Sequence, residues 1–160
     1  RRVMARVPTL RARALACAGP TTEAIADARR GVALAMENTL DGSGTGQRDL
    51  AEARWRLGGL LARTGAATAA AAELQLAATT IRALSQSDKV LTLNRAMLAE
   101  ILNDLGAALE QIGRGADAMV AWQEAAAIAE AAASEAPSWP ALADVHRRAG
   151  TALARFKGTR

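Results

Sequence analysis

Apolar residues recur along this chain at spacings of three and four, the period of a helix that buries one face. Over 139–157 the stripe is Leu142, Val145, Ala149, Leu153 and Phe156. Over 102–128 it is Leu102, Leu105, Leu109, Trp122 and Ile128, interrupted by glycines at 106 and 113. Breaks in the pattern predict helices near 8–18, 21–39, 48–64, 66–84, 88–112, 115–135 and 139–157. The stretches DGSGTGQ (41–47) and SQSD (85–88) read as linkers, being clusters of Gly, Ser and Asp between periodic segments. Pro8 and Pro140 suit first helical turns, and Thr21 or Ser138 suits an N-cap.

The pattern repeats. Residues 105–125 read Leu-Gly-x-x-Leu-x-x-x-Gly-x-x-x-x-Ala-x-x-x-Trp-x-x-Ala. Residues 57–77 match at every spacing through Leu57, Gly58, Leu61, Gly65, Ala70, Leu74 and Ala77, with Leu74 in place of Trp122. A partial third copy begins at Ala149, Gly150 and Leu153, and a weaker one surrounds Gly19, Ala24, Ala28 and Gly31. Glycine inside a helix costs about 1 kcal/mol relative to alanine. Gly58 and Gly106 therefore predict close approach of a second helix, at Ala70/Ala77 and Ala118/Ala125. Gly65 and Gly113 predict left-handed C-caps where each first helix ends. The larger residues, Trp122 among them, are expected between neighbouring hairpins, since one hairpin cannot bury that face alone.

This pattern resembles the tetratricopeptide repeat, a helix–turn–helix unit usually about 34 residues long. Here the copies stand 44 to 48 residues apart, which implies longer helices and connections. Long repeats of this kind are similar to those in bacterial multidomain signalling proteins, including tails of Ser/Thr kinases and large transcription regulators. The resemblance implies an all-α, right-handed superhelical stack of helix–turn–helix repeats, an α-solenoid of about seven helices. The expected organisation is one domain over 1–160, with repeats at 8–39, 48–84 and 88–135, a closing helix at 139–157, and a larger parent protein. It further implies a protein or peptide partner on a concave face built from the first helices. By register that face holds Trp55, Arg56, Arg63, Asn103, Asp104, Arg147 and Arg148. Chaperone-binding relatives use a basic carboxylate clamp, whose motif is not evident here.

Composition agrees with helix. About a quarter of the 160 residues are alanine, 51% are hydrophobic and only 2% aromatic, so many close contacts must replace few large ones. The net charge is +4, but the basic excess lies at the two ends. Arg1, Arg2, Arg6, Arg11, Arg13, Arg147, Arg148, Arg155, Lys157 and Arg160 are ten of the 20 basic residues, and all 16 acids lie in 14–146. A continuous basic stripe with stacking aromatics, as nucleic-acid binders carry, is not present. Nucleic-acid binding, or a regulatory segment of a transcription factor, is the alternative reading; a partner with an acidic stretch near the last copy is the leading one.

Sites of chemistry are scarce. GSGTG at 42–46 lacks the preceding strand or following Gly-Lys-Ser/Thr that a phosphate cradle needs. His146 is the sole histidine and Cys17 the sole cysteine, so neither a zinc site nor a Cys–His couple is expected. With Cys17 alone an intrachain disulfide is ruled out, and the residue reads as a small packing group. No apolar run reaches a membrane span. Residues 1–18 are arginine-rich and acid-free, yet ALACA is too short for a signal core. The expectations are no catalysis, no cofactor or metal, no membrane partner and a cytoplasmic setting.

Overall fold

The computed structural model describes residues 22–87, 91–135 and 140–158, and among these no strand occurs. The expected first helix at 8–18, Cys17, Thr21, Ser138 and Trp139 lie outside the described residues. Six α-helices follow in order: α1 Thr22–Glu37, α2 Gly44–Arg63, α3 Ala67–Ser87, α4 Leu91–Gln111, α5 Gly115–Glu135 and α6 Pro140–Gly158. A 3₁₀ turn, Asn38–Asp41, joins α1 to α2. The chain forms two compact units, one ending at Thr80 and the other beginning at Ile81.

Two predicted linkers are mostly helix. Within 41–47, α2 already begins at Gly44, because Ser43 caps it by accepting a hydrogen bond from the Gly46 N–H at 3.1 Å. Gly46 is buried, and a Cβ there would stand 2.6 Å from the Asn38 carbonyl oxygen. Glycine at 46 thus lets the start of α2 press on the 3₁₀ turn. Likewise α3 runs through Ser85 to Ser87. Pro140 opens α6 as expected.

In the first unit, α1 packs on α2, with Ala24, Ala28 and Ala35 buried along α1. α2 turns into α3 at Gly65, which has φ +80°. The Gly65 N–H donates to the Ala62 carbonyl at 3.2 Å and the Ala66 N–H to the Leu61 carbonyl at 3.0 Å. This pair of bonds is the Schellman closure that a left-handed residue permits.

In the second unit, α4 packs on α5 and α5 on α6. Gly113, at φ +76°, closes α4 in the same way: its N–H donates to the Glu110 carbonyl at 3.0 Å, and the Arg114 N–H to the Leu109 carbonyl at 2.9 Å. Alanines set the layers of this core. Ala96, Ala132 and Leu142 form one contact cluster, and Ala99, Ala129 and Val145 form the next. Small side chains let the three helices approach closely, and dispersion across many short contacts replaces the area that large residues would bury.

The helix glycines are buried as predicted, but their partners differ. A Cβ on Gly58 would stand 2.7 Å from Cγ of Leu74, and one on Gly106 would stand 2.7 Å from Cδ1 of Trp122. The side chain over each glycine is therefore the large one of the second helix; at Gly58 the backbone carbonyl of Ala70 also lies close, 3.3 Å from such a Cβ, as the spacing predicts, whereas at Gly106 the nearest atoms all belong to Trp122. Ala70, Ala77, Ala118 and Ala125 flank the large residues, all fully buried. Trp122 accordingly lies inside its own hairpin. Its indole N–H donates to the Asn103 carbonyl at 3.2 Å. Phe156 of α6 meets Trp122 edge-on, with ring centroids 6.4 Å apart, and covers Gly115, where a Cβ would collide with its ring.

Candidate functional site

On α2 of the first unit, Trp55 and Arg56 are half-buried and Arg63 is exposed. Trp55 stands two residues before Leu57, which is in the core. Arg56 pairs with Glu52 one turn earlier.

In the second unit the open faces of α4 and α6 meet in a charged seam centred on Arg148. Its Nη2 donates to Oε2 of Glu100 at 2.6 Å, its Nε stands 2.9 Å from Oδ2 of Asp144, and its Nη1 lies 3.9 Å from Oδ1 of Asp104. Partial burial alone would disfavour the charged guanidinium. The hydrogen bond to Glu100 and the fields of Glu100, Asp104 and Asp144 outweigh it and raise the Arg148 pKa above its ordinary value. Arg155 reaches Oε2 of Glu110 at 2.6 Å, and Arg147 pairs with Asp144. Arg147, Arg148, Thr151, Ala152 and Arg155 line an open cavity of about 230 Å³.

The seam thus joins Asp104, Arg147 and Arg148, three of the residues selected by register. It also contains Glu100, Asp144, Glu110 and Arg155, which register did not select. For Asp144 and Glu100 the signal in the sequence is the four-residue step, Asp144 to Arg148 on one helix and Glu100 to Asp104 on the other; Glu110 and Arg155 pair between helices and carry no such step. Asn103 is only 8% exposed; its carbonyl serves the Trp122 indole, and its side chain is withdrawn from the open face. Arg147, Arg148 and Arg155 are each paired with a carboxylate rather than forming a free basic patch.

Elsewhere, His146 is exposed, with Nδ1 3.2 Å from the Ala126 carbonyl. Among the described residues no group of three His, Cys, Asp or Glu is placed to hold a metal ion, and no helix is long and apolar enough to cross a membrane. Comparison with protein-family models, with curated proteins and with solved structures finds no match.

Proposed function

We propose that the chain is a non-catalytic protein–protein interaction scaffold of the tetratricopeptide type. Its hairpins stack as a right-handed α-solenoid, and the open faces of the first helices bind a peptide or a partner domain. The observation that carries this reading is the duplicated hairpin. Gly58 lies under Leu74 and Gly106 under Trp122, with the same pair of hydrogen bonds closing each turn. Recurrence of one supersecondary unit is how solenoids build long binding surfaces.

The binding residues in this reading are Trp55, Arg56 and Arg63 on α2, and Asp104, Arg147 and Arg148 with Arg155 on the α4–α6 seam. A partner carboxylate can replace Asp144 on Arg147 or Glu110 on Arg155 at small cost, since exposed ion pairs are worth about 0–1 kcal/mol. Arg148, held from three sides, would stay as the fixed wall of the seam.

The test is titration of partners recovered by cross-linking to the full chain against Trp55→Ala and Arg147→Glu. Weakened binding in either variant supports the assigned face. Unchanged affinity in both rejects it.

A further inference from the structure

Thr151 stands on α6 one turn after Arg147 and Arg148 and one turn before Arg155, in the sequence Arg-Arg-Ala-Gly-Thr. Residues three or four apart on a helix are neighbours on its surface. The open cavity of about 230 Å³ is lined by these three arginines, Thr151 and Ala152, and none of its lining residues is acidic. Thr151 is exposed, and its hydroxyl donates to the Arg147 carbonyl at 2.9 Å. That exposure belongs to the helix face. Counting from the glycines at 106 and 150, the counterpart of Thr151 on α4 is Ala107. Ala107 is exposed too, although α5 and α6 both pack on α4. Among the described serines and threonines only Thr151 has arginine one turn away on both sides. Ser85 follows Arg82 by three residues, but it is half-buried, and Arg82 holds Glu124 in a two-pronged pair, with Nη2 at 2.8 and 3.0 Å from the carboxylate oxygens.

A phosphoryl group on Thr151 would carry a charge of about −1.5 to −2 and three strong acceptor oxygens. It would be tethered within one turn of both Arg147 and Arg155. Arg147 now pairs with Asp144, and Arg155 with Glu110, at the surface. Exposed pairs of this kind are weak, and guanidinium–phosphate hydrogen bonds are among the strong ones. A tethered dianion therefore displaces single carboxylates from these two arginines. Duplex DNA has no such tether and offers one charge per phosphate.

We infer that Thr151 is the phosphorylation site of an arginine-directed protein kinase, and that Arg147 and Arg155 hold the phosphate once it is made. Arg147 and Arg148, four and three residues before the hydroxyl, are the groups the kinase reads. In the transfer, Oγ of Thr151 bonds to the terminal phosphorus of a nucleoside triphosphate, and the bond from that phosphorus to its bridging oxygen breaks. The hydroxyl proton passes to a carboxylate of the kinase, and the nucleoside diphosphate leaves. A kinase takes its substrate extended, so this turn of α6 must open. Gly150, directly before Thr151, lowers the cost of opening, since glycine is a poor helix former. The inference stands whether or not the chain is a scaffold.

The experiment treats the full chain with an arginine-directed Ser/Thr kinase and ATP and maps the product by mass spectrometry. Expected is one phosphoryl group, on Thr151, and none in Thr151→Val. Gly150→Ala should slow the transfer a few fold, because a stiffer helix opens less often. Phosphorus NMR then titrates the product. The ordinary second pKa of such a phosphate is about 6. Arg147, Arg148 and Arg155 lower it, while Asp144 on the same helix and Glu100, Asp104 and Glu110 on α4 oppose them. Direct contact with Arg147 and Arg155 sets the sign, so the phosphate should titrate about half a unit or more below its ordinary value, and Arg155→Gln should return it part of the way. Transfer to another residue in place of Thr151, or transfer only after the chain is heat-unfolded, overturns the inference. So does a phosphate on Thr151 that titrates at its ordinary value or above. None of these results bears on the partner titration with Trp55→Ala and Arg147→Glu, which tests the proposed function separately.

Discussion

Gly106 lies directly beneath the indole of Trp122, and the same ring is tied by its N–H to the carbonyl of Asn103, three residues before that glycine. One residue without a side chain and one with the largest are thus a single packing device. Gly106→Ala should destabilise the fold by about 1–3 kcal/mol even though alanine is the better helix former, since the added methyl displaces the ring. Gly58→Ala should act in the same direction through Leu74. Gly59→Ala is the control, because its Cβ would meet only the Arg63 guanidinium at 3.9 Å. It should stabilise by up to about 1 kcal/mol. Urea denaturation followed by circular dichroism reads all three, and a gain in stability for Gly106→Ala would refute the packing account.

Removing the ring should cost more than crowding it. Trp122→Ala empties a site that is 2% exposed and should lose about 3–5 kcal/mol. It should also loosen α6, because Phe156 loses its edge-on partner. Hydrogen exchange at 149–156 faster than in the parent would report this; unchanged protection there would show that Phe156 is held by Gly115 alone.

The two turn glycines should respond alike. Gly65→Ala and Gly113→Ala each force an alanine into the left-handed region, at a cost of about 1–2 kcal/mol. Equal losses in thermal melts would confirm that the two turns are equivalent. A loss at one and none at the other would show that only one turn keeps this closure in solution.

Arg148→Met leaves Glu100, Asp104 and Asp144 converging without their shared cation. With the side chain about one-third exposed, solvent screens much of the effect, and a loss of about 1 kcal/mol is expected. The raised Arg148 pKa means that this contribution is fully present below the unfolded-state value and is lost only as pH rises through the higher folded one. Stability differences between Arg148→Met and the parent should therefore be flat across neutral pH. A double-mutant cycle with Glu100→Gln isolates the pair, and a coupling energy near zero would rule out the seam as a stabilising element.

The paired state of Arg147, Arg148 and Arg155 also bears on nucleic acid. Their charges are met by Asp144, Glu100, Asp104 and Glu110, so these three cations are poorly placed to release counterions from a phosphate backbone. Non-specific duplex DNA is expected to show no salt-sensitive binding. Affinity that falls steeply with salt would restore the nucleic-acid reading.

How far the sequence foretold these results differs from residue to residue. Gly65 and Gly113 were legible because a turn glycine acts through its own backbone, and its 48-residue recurrence needs no knowledge of tertiary contacts. Gly58 and Gly106 were legible as close approaches, and Ala70 as a neighbour of Gly58, but the large side chain over each glycine was not. Spacing placed Ala118 and Ala125 opposite, whereas the ring of Trp122, rooted between those alanines, lies over the glycine. The stretch 41–47 misled for a different reason. Its glycines argue against helix on propensity, yet Ser43 caps the helix and Gly46 is needed by a carbonyl eight residues earlier. At the seam, register found Asp104, Arg147 and Arg148 but not Glu100, since a carboxylate's partner on another helix depends on how the two helices are rotated.

The pairing of Gly106 with Trp122 joins positions only 16 residues apart in the chain, and Gly58 with Leu74 spans the same interval. Closing so short a loop is entropically cheap, and folds dominated by such near-neighbour contacts reach the native state quickly. Each hairpin is thus equipped to zip up soon after its second helix emerges from the ribosome, with the glycine seat ready before the ring arrives to fill it.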